Sequence, residues 1–415
     1  MFKAIKTIIL NDEVRLKVFA TLLGLFIIRI FSFIPVPWTD IDMLKNMSNT
    51  GILALTSLFN GSSMSVFSIG AIGVSAYISA TIFIQLASFF IKPLHRLRSE
   101  PGGGKFIRII TVTLGFVLAF LTSLITVSVA DSNIAFLLDD SWYVFVIIAT
   151  IQATCASISI YIGEKITDYG FCEGLPLIIL ANILSSIPEI YGTITNKYEI
   201  GQYTTLTIII FLIVIGIMYI AVSFMENSER KIPVNYIKET SRQVNILKPK
   251  SELPIRFNFL GVMPIIIGVY MVALIQWIGA IISPELSMRI SDILEYGSSY
   301  YILLTSIFIF FGGMFYSYVL FDANEVAFHL QTRGGLIKNI RPGKHTAIYL
   351  RGIVNQMSVL SSIYMVVITM IPLYILSQNN INMIETTSII IIFDVSIMAI
   401  RTLKSEIKLN NVKKF

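Results

Sequence analysis

Three histidines, His95, His329 and His345, and two cysteines, Cys155 and Cys172, are the only nitrogen and sulfur side chains of the kinds that most often bind metals. The histidines fall in or beside segments that the charge pattern assigns to the cytosol, so a buried Ser–His pair or a metal cluster has nothing to build on. The cysteines form no CxxC pair, suggest no disulfide framework and read as small packing residues. There is no GxxxxGK[ST] loop, so any energy must come from a partner. The chain is expected to be no enzyme and to need no cofactor or metal. What remains are aliphatic positions at helical spacing and a basic, turn-bracketed loop. Val74, Ile78 and Ile82 recur at i, i+4 and i+8 and project from one helix face. Leu175 and Ile179 repeat the spacing, and Ile266 offers a third position, although aliphatics in an apolar helix are usually core or lipid-facing. The segment GGLIKNIRPGKHT, 334–346, brackets Lys338 and Arg341 between two turn dipeptides, with Lys344 directly after. A topology signal needs only charge, so the bracketing reads as the presentation of a docking residue.

The elements that must carry these residues are membrane helices. Hydrophobic residues make up 55% of the 415 and charged residues 13%, too little charge for a soluble domain. A bilayer core takes about 20 apolar residues per helix. Spans are expected over 18–34, 70–91, 109–130, 142–163, 174–188, 203–225, 257–282, 300–321, 346–376 and 386–400. The β-branched run 207–217 is read as helix, because an open strand leaves its backbone unsatisfied in lipid. With the N-terminus inside, 27 of the 31 Lys and Arg fall on the inner side. Lys45, Lys197 and Arg289 fall outside, and Arg29 lies within the first span. That asymmetry predicts a multi-pass plasma-membrane protein with both termini cytoplasmic and no cleaved signal. The net charge of +6 is then a topology device and implies no direct contact with nucleic acid.

Three features depart from a plain bundle. The stretch GILALTSLFNGSSMSVFSIGAIG, 51–73, lies outside by charge, yet it is small, apolar and glycine-punctuated, as suits a segment folded back into a cavity of the bundle. Two inner loops, 226–256 and 322–351, are longer than chain connection requires and basic. Ten spans also divide five and five with opposite starting sides, as in an inverted repeat. The second span is dense in small and hydroxylated residues, which allow close helix approach or line water.

Seven collinear runs carry a family resemblance: IRIFSFIPVP (28–37), GAIGVSAYISATIFIQL (70–86), GLPLIILANILSSIP (174–188), ERKIPVNY (229–236), LPIRFNFLGVMPIII (253–267), FFGGMFYSYVLFDANEVA (310–327) and GGLIKNIRPGKHTAIYL (334–350). Together they span nearly the whole chain and resemble SecY, the channel subunit of the protein-export translocase. The resemblance implies an all-α fold of ten transmembrane helices in two inverted halves, 1–202 with the plug and 203–415 with the two long cytosolic loops. It implies a pore ring on Val74, Ile78, Leu175, Ile179 and Ile266. The plug would comprise Asn60, Gly61, Ser62, Ser63, Met64, Ser65, Val66, Phe67, Ser68 and Ile69. A lateral gate would lie between helices two and three on one side and seven and eight on the other. Motor docking would fall to Arg230, Lys231, Lys338, Arg341 and Lys344. Implied partners are a SecA-type motor ATPase, small SecE/SecG-like membrane subunits, the unfolded preprotein and the lipid bilayer.

The chain also departs from the common SecY pattern. Ala76 stands where Pro is usual, Pro101-Gly-Gly-Gly104 replaces a more polar stretch, Gln243-Val244 replaces an Arg pair, and the tail after Arg401 is short. These changes fall mainly on the partner-facing side. The pattern resembles the accessory SecY of Gram-positive bacteria, paired with a dedicated second motor that exports large serine-rich glycoproteins. A housekeeping SecY for general secretion is the alternative. A secondary transporter is a remoter one, disfavoured because no acidic–basic pair converges at the midplane.

Overall fold

The protein is described by a computed structural model over residues 12–39, 67–91, 94, 103–134, 141–236, 251–282, 289–290, 292–378 and 386–413. In chain order the elements are α1 (Asp12–Phe33), α2 (Ser75–Phe90), α3 (Gly103–Ile134), α4 (Trp142–Tyr169), α5 (Gly174–Ser185), α6 (Ile187–Glu199) and α7 (Thr205–Asn227). Strands β1 (Glu229–Tyr236) and β2 (Ser251–Arg256) follow, then α8 (Met263–Ile282), α9 (Ser299–Leu320), α10 (Ala323–Thr332), β3 (Gly335–Ile337), α11 (Lys344–Gln378) and α12 (Thr386–Lys413). Each of the ten expected spans falls on a helix, including the β-branched run within α7. Among the described residues, eight helices are long and apolar enough to cross a membrane. The broadly exposed Phe19 and Phe26 of α1, and Ile217 and Phe224 of α7, suit lipid and not water.

The chain forms two compact units. The first comprises Met1–Ile210, Ala273–Glu295 and Ile381–Phe415. In it α4 packs against α1, α3 and α5, while α2 lies on α3 and α12 on α5. Small residues let these backbones approach. A cluster of Ile72, Ala76, Ala119, Ala153 and Ala156 joins the start of α2 to α3 and α4. Gly174 is required at its position, since any Cβ there would run into the Gly163 carbonyl of α4. Ion pairs tie one end of the unit: Lys17 Nζ lies 2.8 Å from Glu406 Oε2, joining α1 to α12. Arg108 pairs with Glu164, joining the start of α3 to the end of α4. At the same end Cys172 Sγ lies 3.8 Å from Thr402 Oγ1. Burial pushes its thiol up, as befits a packing residue.

The second unit comprises Phe211–Val272 and Tyr296–Asn380. Here α9 packs closely on α11. Gly313 faces the Ser362 side chain, and a Cβ on the neighbouring Gly312 would lie 3.0 Å from Ile267 of α8. The strands form one sheet in the order β2-β1-β3, antiparallel throughout. From Lys231 onward β1 alternates exposed Lys231, Pro233 and Asn235 with buried Ile232 and Val234, as a strand with one covered face must. Pro233 is compatible with this central strand because pairing to β3 begins only at Val234. Ile232, Val234, Ile255 and Ile337 then pack on Leu330 of α10 and on Leu350 and Val354 of α11.

Candidate functional site

The aliphatic stripe begins where α2 begins. Val74 occupies the N-cap of α2, and its carbonyl accepts from the Ile78 amide at 3.1 Å, so the two stand one turn apart on one face. Val74 is 2% exposed, Ile78 6%, Ile179 on α5 5% and Ile266 on α8 5%. Leu175 behaves differently. It is half-buried and lies over Gly163 of α4, where a Cβ would be 3.2 Å from its Cδ2. Ile183, 3% exposed, continues the Ile179 face one turn onward. The sequence reading passes over it, although the same i+4 spacing marks it. Ile266 belongs to the second unit, the other four positions to the first.

Of the expected plug, Asn60, Gly61, Ser62, Ser63, Met64, Ser65 and Val66 lie outside the described residues, whereas Phe67, Ser68 and Ile69 are described. These three pair with the exit of α1. The Val36 amide donates to Phe67 O at 3.2 Å, Ile69 N to Ile34 O at 2.9 Å and Gly70 N to Phe31 O at 3.1 Å. Phe67, at φ 48°, is 2% exposed among Val36, Val127, Val144 and Ile148. A bulky residue holds that conformation only where its surroundings over-determine it. Gln152 of α4 adds a hydrogen bond that no periodicity reading predicts. Its Nε2 donates to Ser68 O at 3.2 Å, and its Oε1 accepts from Ser123 Oγ of α3 at 2.6 Å.

The second candidate surface is the sheet. Arg230 and Lys231 lie exposed on β1, with Lys231 Nζ 3.7 Å from Glu252 Oε2 on β2. Lys338, Arg341 and Lys344 lie exposed between β3 and the first turn of α11. The sheet thus ties together, through β1 and β3, the two loops that carry these residues. The Arg341 backbone is fixed from both sides: Ile340 N donates to Ile337 O at 3.1 Å and Thr346 Oγ1 donates to Arg341 O at 2.9 Å. Gly334 at φ 67° and Gly343 at φ 88° make the turns that the dipeptides predict, and Asn339 at φ 64° adds a turn between them that they do not. Arg351 has a structural task instead. Its guanidinium stacks 3.6 Å over the Tyr318 ring and donates to Phe321 O at 3.0 Å, closing the end of α9. A buried network below the sheet joins Asn258 Nδ2 to Glu226 Oε1 at 2.7 Å and Ser361 Oγ to Asn258 Oδ1 at 3.3 Å.

These features define a multi-span helical membrane protein with a basic platform built on its second unit. The SecY family model matches residues 68–400, and the chain belongs to that family. The protein translocase subunit SecY of Bacillus subtilis (strain 168) is 29% identical over 437 residues, covering 100% of this chain and 99% of that protein. Among solved structures, one described as a protein conducting channel matches with a TM-score of 0.68 at 16% identity, covering 97% of this chain and 93% of the other. A second, of a SecY protein whose plug domain stabilises the closed state and maintains a membrane seal, matches at 0.65 and 16%, with the same coverage. At such identity the structural likenesses establish the fold.

Proposed function

We propose that this SecY-family channel subunit passes unfolded polypeptides across the plasma membrane, driven by a SecA-type motor ATPase. The observation that carries the reading is the sheet, which joins the strand of exposed Arg230 and Lys231 to the strand that leads, four residues on, to exposed Arg341. A presented guanidinium suits carboxylates and carbonyls on a protein partner. Val74, Ile78, Leu175, Ile179 and Ile266 form the ring, with Ile183 beside Ile179 in the same stripe. The plug is the 60–69 segment, and the halves divide at 202 and 203. Small SecE/SecG-like subunits complete the assembly in the bilayer.

Within that function we assign the chain to accessory export of large serine-rich glycoproteins, with a dedicated second motor. The departures on the partner-facing side support this. Of these, Pro101, Gly102 and the Gln243-Val244 pair lie outside the described residues. Ala76 sits in the first turn of α2, where a proline and an alanine are both accommodated, so its change leaves the helix start intact. Specificity is a difference of affinities and is obtained by removing contacts for the common partner. A strain depleted of its general SecY and expressing only this chain will therefore fail to export general secretory proteins. Full rescue would reject the accessory assignment and return the housekeeping one.

Orientation is tested separately. With both termini cytoplasmic, a cysteine at Gln202 will react with an impermeant thiol reagent from outside to near completion, and one at Glu252 will stay at background. Both positions are exposed, so accessibility is decided by the membrane. Outside labelling at 252 would overturn the assignment.

A further inference from the structure

The amide of Gln152 is among the most deeply buried polar groups in the first unit: Gln152 is 1% exposed, and Ser68 and Ser123 are both at 0%. The Ser68 carbonyl, which accepts from Gln152 Nε2, also accepts from Ala71 N at 3.0 Å, in the turn that leads into α2. Two further bonds continue into the helix: Ser75 Oγ donates to Ile72 O at 2.5 Å and Ile78 N to Val74 O at 3.1 Å. Gly70 lies so close to α1 that a Cβ there would be 3.1 Å from the Phe31 carbonyl. An unbroken chain of short contacts therefore runs from α3 and α4, through one side-chain amide, to the backbone that carries Val74 and Ile78.

We propose that Gln152 is a positioning residue for the channel seal: by holding the Ser68 carbonyl, it fixes the start of α2 and with it the Val74–Ile78 end of the aliphatic stripe. The inference rests on the channel reading above. A carboxamide is the group this task needs. It donates to a carbonyl and accepts from a hydroxyl at once, and its orientation is set because a carbonyl takes only a donor. A buried carbonyl deprived of that donor weakens the seating of the segment, since the desolvated acceptor is left short of a partner. Displacing the start of α2 moves Val74 and Ile78 together, because they share the first helical hydrogen bond.

Gln152→Glu separates positioning from mere packing. When protonated, the carboxyl keeps the shape and donates an O–H to Ser68 O. When ionised, it sets one acceptor against another and the latch opens. Resting ion conductance of the reconstituted channel should be near parental at low pH and rise severalfold, reversibly, as pH rises through the carboxyl titration. The parent should stay flat. Arg29 on α1, Tyr77 on α2, Arg108 on α3, and Tyr143, Cys155 and Glu164 on α4 are present in parent and variant alike, so the parent is their control. Ser123→Ala removes only the bond that orients the amide, and should leak at all pH values by a smaller factor. It decides the matter if Gln152→Glu does not reach the membrane folded. Conductance of both variants equal to the parent's, while a ring variant such as Ile78→Asn leaks, would overturn the latch and leave the channel reading standing. If the Ile78→Asn/Ile179→Asn double variant also stays tight, it is the ring assignment that fails.

Discussion

Replacing Ile78 and Ile179 together with asparagine will raise the resting ion conductance of the reconstituted protein in planar bilayers. Both side chains are almost wholly buried, and each sits on the first turns of its helix. A narrow aliphatic constriction excludes ions because water does not wet it, so an ion would have to shed its hydration shell with nothing to replace it. Each asparagine supplies a donor and an acceptor at that level and lets a hydrated path form. The seal depends on a hydration barrier, and removing even about 1.4 kcal/mol of it raises passage tenfold, so an increase of at least about that size is expected. Single replacements should give less, because neighbouring aliphatics still dewet the path. Parental conductance in the double variant would sink the ring assignment.

Export will stop in Arg341→Glu, while membrane insertion and stability in detergent stay normal. The second half follows from the structure: Arg341 is exposed, and its loop is held by backbone groups and Thr346, none of which involves the guanidinium. The first half follows from partner chemistry. Loss of a hydrogen-bonded interfacial charge pair costs ~2–5 kcal/mol, a loss of roughly thirtyfold or more in motor affinity. Reversal of sign adds repulsion. Lys338→Glu, three residues earlier in the same loop and a point charge in place of a planar fork, should cost less. Export at the parental rate would reduce Arg341 to a topology charge.

The spans are legible in the sequence because lipid enforces helix wherever apolar runs are long enough. Boundaries move where the backbone has another partner. The second span is expected from residue 70, but α2 starts at Ser75, because 67–70 is taken up in pairing with the exit of α1. The fifth is expected to close near Pro188, and α5 does end at Ser185. That proline then opens α6, at a position where its missing N–H costs nothing. The sheet is not expected from the sequence: ERKIPVNY alternates polar and apolar residues only over Lys231–Asn235, with a proline between, and β3 has only three residues and lies in another loop. Gln152 is invisible for a different reason. Its partner is a main-chain carbonyl 84 residues away, and no side-chain type encodes that. Leu175 shows the converse: its spacing promises a place beside Ile179, and its contact with Gly163 is set by the approach of α4.

The sheet also dictates an order of events during synthesis. Its central strand and one neighbour are complete by Arg256, but the third strand arrives only with Gly335–Ile337, after α8, α9 and α10 have been made. Until Ile337 joins Ile232, Val234 and Ile255, the hydrophobic base under the platform is unfinished and Arg341 has nothing rigid to stand on. A chain halted before that point has most of its membrane helices and no assembled dock. If the docking proposal holds, such a nascent or truncated subunit offers a motor no finished platform until Val74, Ile78, Leu175, Ile179 and Ile266 have all been made.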